Sequence, residues 1–475
     1  MPFSPSQLVA LVAAATLTLG GCAVTPPDMD RITAEVLPSN WQESSLQTGD
    51  LSTWVDFWAR WQDPVMVRLI ERAVVANPDI ETAAASLRSA RATLSAADAA
   101  LFPSASVGAD AGRRHSGSTT KSSYSLEGSG KLTLNLAGSE FWTADAAALR
   151  SSAALYSLND VRAATAAETA SAYVKLRLAE AKLEIARRSL ETYARTADVS
   201  RWQFESGTGQ GSAAEDSLVQ LASARARIPE LESSIAQYKN ALMRLTGLSV
   251  GALELNATGV IPEPPEGLAA VIPAEAIAHR PDIRAARQTV LAAVESLRSA
   301  KSDFFPTLSL SGDIGTTATT VSALGTSGTG IAGLTVALSM SVLNWGKLIA
   351  AEETAAAELE RTVASYRSKL LLALEETDNA LSTVASAERR QKDLEAALTH
   401  AKTAETLAAN EYAAGTGEYT MLLSTQRSRL SAEESEVANR ADRASGYITL
   451  YRALGGGWTV AEPADETPKQ QTSGD

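Results

Sequence analysis

The sequence predicts a mainly helical chain with membrane-crossing β-strands, built as two similar halves, and three observations predict it. The first is a duplication. Pro78-Asp79-Ile80 opens an alanine-rich stretch that ends at Phe102-Pro103, and Pro281-Asp282-Ile283 opens another that ends at Phe305-Pro306, an offset of 203 (281 − 78 = 203). The offset then becomes 208 (346 − 138 = 208) and holds. It pairs Gly138 with Gly346, Glu168-Thr169 with Glu376-Thr377, and Gly207-Thr208-Gly209 with Gly415-Thr416-Gly417. The second observation is that each half holds two segments alternating with period two. The third is that each half holds a very long run without proline and almost without glycine, from Ser139 to Ser206 and from Lys347 to Ala414.

The N-terminus reads as an address. Leu8 to Leu19 is apolar but too short to span a bilayer, and Leu19-Gly20-Gly21-Cys22 follows it. Leu, two small residues and Cys resemble a bacterial lipobox, where the leader 1–21 is removed and Cys22 is acylated. Cys22 is the only cysteine in 475 residues, so no internal disulfide is possible. Residues 1–21 carry no Lys or Arg, which departs from ordinary secretory leaders. Ala23, rather than Asp, follows the Cys, and by resemblance to lipoprotein sorting this favours the outer membrane.

Composition narrows the class further. Charged residues make up 20% and aromatics 5%, with Ala abundant in the helical runs, which suits long helices packed through small residues. The net charge of −13, with no cluster of Lys and Arg, argues against nucleic acid as a partner.

The strands come in pairs. In the first half Ala105, Val107, Ala109 and Ala111 interleave with small polar residues, and so do Leu132, Leu134 and Leu136. In the second half Leu308, Leu310 and Ile314, then Leu334, Val336, Leu338, Met340 and Val342, do the same. At roughly 9–11 residues each such strand is long enough to cross a bilayer at a tilt. Alternation alone fits a soluble antiparallel sheet with one wet face equally well. The polar joining segments Arg113–Ser123 and Thr316–Gly330, read as long outer loops, favour a membrane barrel. Four strands cannot close, so two or three copies must share one barrel.

Each long run corresponds to about 100 Å of helix at ~1.5 Å per residue. After the first, a helix of about 35 residues returns to Gly247, and Pro281 to Phe305 supplies another of about 25 that leads into a strand. Unrelated coiled-coil hairpins would share this composition, but not the order of one long and two shorter helices in both halves.

These elements resemble a known family. Their order, the duplication, Trp58-Ala59-Arg60-Trp61-Gln62-Asp63-Pro64, Asn77-Pro78-Asp79-Ile80 and Leu450-Tyr451-Arg452-Ala453-Leu454-Gly455-Gly456-Gly457-Trp458 are similar to TolC-like outer-membrane efflux factors. The lipobox and the closing motif look like the lipoprotein branch, NodT-type or OprM-like. The resemblance covers about residues 22–460. It implies a homotrimer with a 12-stranded outer-membrane β-barrel, four strands per chain, continued by a long periplasmic α-helical barrel. It also implies a periplasmic adaptor and an inner-membrane pump, commonly of the resistance-nodulation-division type, so that the chain is an exit duct and hydrolyses nothing. The expected organisation is a leader (1–21), an anchored N-terminal segment (22–76), a first repeat (77–250), a connector (251–280), a second repeat (281–458) and a disordered tail (459–475).

The two helix turns are the candidate sites. By resemblance Gly207, Thr208, Gly415 and Thr416 meet the adaptor's helical hairpin; on the residues alone they are also simply turn chemistry. In relatives, rings of Asp just after the second turn help to close the channel. Here the matching positions, Gly417 and Ser424, carry no carboxylate. Glu418, with Tyr412 and Tyr419, is therefore the candidate gate and weak cation site, since like charges repeated about one axis repel unless a cation or proton intervenes. Glu418 fits an ordinary exposed helix start equally well. Aligning the halves makes the first turn the longer of the two.

No cofactor is expected beyond a covalent lipid on Cys22. His115, His279 and His400 fall in a predicted outer loop, before Pro281 and mid-helix, with no metal spacing or nucleophile–base pair. Gly455-Gly456-Gly457 follows a helix and reads as a stop rather than a phosphate loop. A periplasmic adaptor would lack the duplicated strands, whereas a type I protein secretion duct would share the whole architecture.

Overall fold

The computed structural model describes residues 24–36, 57–249, 255–256, 258–265, 277–341 and 343–456. Cys22, most of the connector and the tail 459–475 lie outside them. In chain order the elements are α1 (Met29–Val36), a 3-10 turn (Ala59–Trp61), α2 (Pro64–Ala76), α3 (Pro78–Ala99), β1 (Ser104–Ser116) and β2 (Thr119–Asn135). Then follow α4 (Ser139–Glu205), α5 (Gly211–Thr246), α6 (Pro281–Ser302), β3 (Thr307–Ala318), β4 (Gly330–Ser339), α7 (Trp345–Ala413) and α8 (Tyr419–Ala453). The chain divides into two compact units, and the long helices contribute to both.

Unit 1 comprises residues up to 36, 84–157 and 282–369. Its centre is one antiparallel sheet in the order β1-β2-β3-β4. Because side chains alternate across a strand, the register decides each face. Leu132 opposite Leu310, Leu134 opposite Leu308, Leu308 opposite Leu338 and Leu310 opposite Val336 build one apolar face. The other face pairs Ser104 with Lys131, Ser129 with Asp313 and Ser311 with Thr335. The apolar face is left open: Val107 is 81% exposed, Leu334 77% and Ile314 70%. A soluble sheet with one wet face would turn its apolar side to a core, so this arrangement decides for the membrane reading. Among the described residues no helix is long and apolar enough to cross a membrane.

The strands outrun the sequence expectation. Arg113–Ser123 is not a loop; the β1–β2 ladder continues to Ser116 opposite Thr119 and turns within two residues at Gly117 (φ 61°). Its polar residues mimic a loop, but a hairpin beyond an apolar band needs no apolar side chains. His115 accordingly lies in β1, its Nδ1 2.9 Å from Thr120 Oγ1. The second joining segment is a true loop, beginning after Ala318 and carrying a short 3-10 turn at Val321–Ala323.

Tight polar caps make the strand-to-helix passage. The Glu140 carboxylate accepts from the Asn135 backbone N–H at 2.9 Å, Asn135 Oδ1 accepts from Ala137 N–H at 2.8 Å, and Gly138 takes φ 79°. Segment 24–36 lies along α6 and α7: Arg298 Nη2 donates to the Val24 carbonyl at 3.1 Å, and Thr33 Oγ1 lies 2.8 Å from Tyr366 Oη. Arg287 pairs with Asp30 at 3.0 Å, and Val24 packs with Val294 and Leu297.

Unit 2 comprises 37–83, 158–281 and 370 onward, and holds the main core. The two sequence signatures at the chain's ends meet there. Phe57 stacks on Tyr451 at 4.6 Å, and Trp58 meets the same ring edge-on at 4.8 Å. Met66, Leu69 and Ile70 of α2 face Tyr173, Leu176, Leu242 and Leu245. Gly456 is required by close approach, since a Cβ there would lie 2.8 Å from that of Ala163.

The Asn-Pro-Asp motif is a helix junction. The Asn77 N–H donates to the Ala73 carbonyl and ends α2, Asn77 Oδ1 accepts from Asp79 N–H at 2.8 Å and caps α3, and Asn77 Nδ2 donates to the Leu245 carbonyl at the end of α5. In the second half Arg280 takes that place. Its Nη1 donates to the Ala453 carbonyl at 3.0 Å, near the end of α8, and its Nη2 pairs with Glu376 at 2.8 Å. The matched Glu168 pairs instead with Arg244.

One buried ion pair anchors the connector. Arg177 Nη1 lies 2.7 Å from Glu180 Oε2, the two side chains being 3% and 5% exposed, and it also donates to the Asn256 carbonyl at 2.7 Å. The guanidinium sits 4.8 Å above the Tyr173 ring, and Tyr173 Oη donates to Asp63 Oδ2 at 3.0 Å. Burial pushes the Tyr173 pKa up to about 12, so the phenol holds its proton throughout the physiological range. Asp63 caps α2 as well, accepting from Val65 and Met66 N–H at 3.0 Å.

Candidate functional site: the two helical tips

Both turns are built alike. Gly207 (φ 75°) and Gly415 (φ 74°) end α4 and α7 in the left-handed conformation, which glycine adopts without a Cβ penalty. Thr208 and Gly209 N–H both donate to the Gln203 carbonyl, and Thr416 and Gly417 N–H both donate to the Glu411 carbonyl. The threonine hydroxyls donate to the same two carbonyls, at 3.1 and 3.2 Å. The third glycine is fixed by space: a Cβ at Gly209 would lie 2.8 Å from Gln203 Cβ, and one at Gly417 would lie 2.9 Å from Glu411 Cβ.

The first turn is not the longer. Five residues, 206–210, separate α4 from α5, and five, 414–418, separate α7 from α8. The extra glycine that suggested a longer loop, Gly211, is the first residue of a helix.

The halves differ where the candidate gate residues sit. At the 208 offset Phe204 corresponds to Tyr412, Gln210 to Glu418 and Gly211 to Tyr419. In the first half the Phe204 ring lies over Gly211, where a Cβ would meet Cε2 at 3.1 Å. In the second half that Phe–Gly contact becomes two tyrosines, with ring centroids 6.0 Å apart at 56°. The added hydroxyl of Tyr412 reaches across to the first hairpin and donates to Gln203 Oε1 at 2.5 Å. The Tyr419 phenol faces Ser200 and Ser217 of the first hairpin, and burial raises its pKa above the ordinary value. Further along, Gln426 Nε2 donates to Thr196 Oγ1 at 3.2 Å.

Glu418 is exposed, in extended conformation at the N-cap of α8, and Thr420 Oγ1 donates to its carboxylate at 3.4 Å. The structure thus brings Tyr412 and Tyr419 together with Gln203, Ser200 and Ser217, which sequence reasoning missed. Glu418 stands beside Tyr419 in sequence, and among the described residues no hydrogen bond or ion pair joins its side chain to the first hairpin. Gln203 carried one usable signal, its place one residue before Phe204, the repeat partner of Tyr412.

The sequence profile of the outer membrane efflux protein family matches residues 69–248 and 272–456. The chain is 28% identical over 464 residues to the pyoverdine export outer membrane protein OpmQ of Pseudomonas putida, covering 94% of this chain and 97% of that protein. It is 27% identical to the toluene efflux pump outer membrane protein TtgF of Pseudomonas putida over 478 residues, 94% of this chain and 96% of that one. Among solved structures, the outer-membrane channel OprN aligns with a TM-score of 0.81 at 27% identity, covering 92% of this chain and 98% of the other. Such channels are homotrimers that work with a periplasmic adaptor and an inner-membrane pump, and the four-stranded sheet is one third of a shared 12-stranded barrel. With two matched Gly-Thr-Gly tips, a sheet greasy on one face and a duplicated helical body, the chain belongs to the outer membrane efflux protein family, as an outer-membrane channel with a large periplasmic helical part.

Proposed function

We propose that this chain is a small-molecule exit duct with no chemistry of its own, closed at its second tips and docked to its adaptor at both. The carrying observation is the pair of Gly-Thr-Gly turns with the same backbone hydrogen bonds, of which only the second carries Tyr412, Glu418 and Tyr419. Gly207, Thr208, Gly415 and Thr416 present the same exposed backbone twice per chain, hence six times per trimer, which suits repeated docking of a helical hairpin. Tyr412 holds the second hairpin to the first, and the exposed Glu418 supplies the charge that threefold symmetry repeats about the axis. Small molecules are favoured because the relatives are named for pyoverdine and toluene export. A pump of the resistance-nodulation-division type is the inner-membrane partner this reading expects. Deleting the gene is expected to lower tolerance to small toxic compounds and leave secreted proteins unchanged; unchanged tolerance with a lost exoprotein would instead mean a type I secretion duct.

Cys22 is the acylation site in this reading, and no other cofactor is required. Support comes from the described segment that follows it in sequence: the Val24 carbonyl accepts from Arg298, near the end of the helix that leads into β3. Metabolic labelling with palmitate should mark the wild-type chain and not Cys22→Ala; label persisting in the variant would refute the assignment.

A further inference from the structure

The two strand-joining segments differ sharply in charge. In a chain of net charge −13, the end of the β1–β2 hairpin, Gly112 to Ser123, holds Arg113, Arg114, His115 and Lys121 and no Asp or Glu. The corresponding segment of the second half, Thr316 to Gly330, holds no charged residue at all. All four basic side chains are exposed, and among the described residues Arg113, Arg114 and Lys121 form no ion pair. This end of the hairpin also stands clear of the rest of the sheet. β3 follows β2 only as far as Ala318 opposite Tyr124, whereas β1 and β2 pair on to Ser116 opposite Thr119. Folding gains nothing from the charge: Arg114 lies directly opposite Lys121, and like charges facing each other across a strand pair destabilise it.

Pleat and register set the depth of these cations. α3 leads into β1 and β2 leads into α4 at the same end of the strands, and the helical part is periplasmic, so the turn at Gly117 lies on the outer side. The apolar face of β2 carries Leu134, Leu132, Leu126 and Tyr124, with Ala105 and Val107 standing opposite Gly130 and Gly128. From Leu134 to Tyr124 is ten residues (134 − 124 = 10). At ~3.3 Å each and the usual tilt they climb about 25 Å, the height of the apolar band of a membrane barrel. Tyr124 therefore stands at the outer interface, where aromatic residues gather. The next positions outward on that face are Ser122 with Arg113 opposite, then Thr120 with His115 opposite. Arg113 is thus at headgroup depth on the lipid side of the strand.

We propose that the lipid-side face of this hairpin, Arg113 with Ser122 and His115, binds the phosphate of an outer-leaflet glycolipid, one site per copy. A guanidinium holds a phosphate through two parallel N–H···O bonds, and the pair strengthens where the bilayer edge lowers the dielectric constant. Ser122 supplies a hydroxyl directly across the ladder. His115 is held on the same face, its Nδ1 2.9 Å from Thr120 Oγ1. Tyr124 lies one step toward the acyl chains, beneath the headgroup. Arg114 and Lys121 are on the polar face, so they add a field that salt screens rather than a direct contact. A phosphate bound at the tip also offsets their mutual repulsion, which explains how an otherwise unfavourable pair is carried.

Native mass spectrometry of full-length trimers in neutral detergent, titrated with bis-phosphorylated lipid A, tests this. It counts the lipid retained and reads the trimer mass in the same spectrum, so lost assembly is told apart from lost binding. Wild type is expected to retain one lipid per copy. Arg113→Gln should weaken retention roughly tenfold or more, the loss expected for a charge-assisted hydrogen bond. Arg114→Gln with Lys121→Gln should weaken it less, and Lys131→Gln, at the inner end of β2, should leave it unchanged. Lipid A stripped of its phosphates should bind wild type and Arg113→Gln alike. Equal retention of intact lipid A by wild type and Arg113→Gln would overturn the proposal. So would a larger loss with Arg114→Gln and Lys121→Gln than with Arg113→Gln, which puts the anion inside the duct, or displacement of the lipid by millimolar inorganic phosphate, which makes this a site for free anions.

Discussion

Replacing Arg177 by alanine is expected to cost the helical body about 3–5 kcal/mol, the penalty for leaving a buried carboxylate without its partner. Three losses coincide at this residue. Glu180, 5% exposed, keeps a charge with no counter-charge, the Asn256 carbonyl loses its donor, and the Tyr173 ring loses the cation above it. The second comes from the connector, so its hold on α4 should loosen as well. The urea midpoint of detergent-solubilised trimers measures the effect. Replacing both charges by leucine should recover more than half of the shift, because an apolar pair carries no desolvation penalty. A double variant no more stable than Arg177→Ala alone would show that the ion pair is not what matters there.

Tyr412→Phe is expected to raise the open-to-closed ratio of isolated trimers by roughly 10- to 1,000-fold. The estimate takes one hydrogen bond at about 0.5–1.5 kcal/mol, repeated three times, at about 1.4 kcal/mol per tenfold. The bond removed joins Tyr412 Oη to Gln203 Oε1, the link between hairpins that the first-half counterpart Phe204 cannot make. Open probability in planar bilayers is the readout. Glu418→Gln serves as the companion, since it removes one charge per copy and leaves the latch intact. It should relieve block by added divalent cations and change opening less than Tyr412→Phe does. Unchanged opening in the first variant and unchanged block in the second would move the gate away from this tip.

The difference between Phe204 and Tyr412 shows how much of the site was legible. Glycines at matched offsets located both turns, because a left-handed helix end is a local requirement that one residue meets. The family resemblance pointed to Glu418, with Tyr412 and Tyr419 as its neighbours, and comparing the halves showed that only the second turn has Glu418 beside it. Gln203 was legible only as the residue before Phe204; its bond to Tyr412 depends on which helix of the first hairpin lies beside α7, and no periodicity encodes that. The first turn was read as too long for the opposite reason: Gly211 looks like loop by composition, yet a glycine can open a helix as well as end one.

The β1–β2 hairpin makes the same point. Residues 113–123 are polar enough to read as a loop, but backbone pairing needs no particular side chain once a two-residue turn at Gly117 sets the register.

The sequence by itself determined the duplication, the four amphipathic strands, the long helices and the positions of their caps and turns. Each of these rests on interactions between residues close in the chain or on a period that repeats along it. Only the tertiary structure decided that Arg177 and Glu180 are buried against the connector, that Tyr412 is tied to Gln203, and that α3 and α6, near-copies in sequence, differ so widely in burial. α6 finds α4 and α7 on either side of it, whereas α3 buries only Ile80 and Leu87 among its apolar residues, and its second half is largely exposed. Burial and pairing are set by which segments become neighbours, and for this chain some of those neighbours belong to another copy.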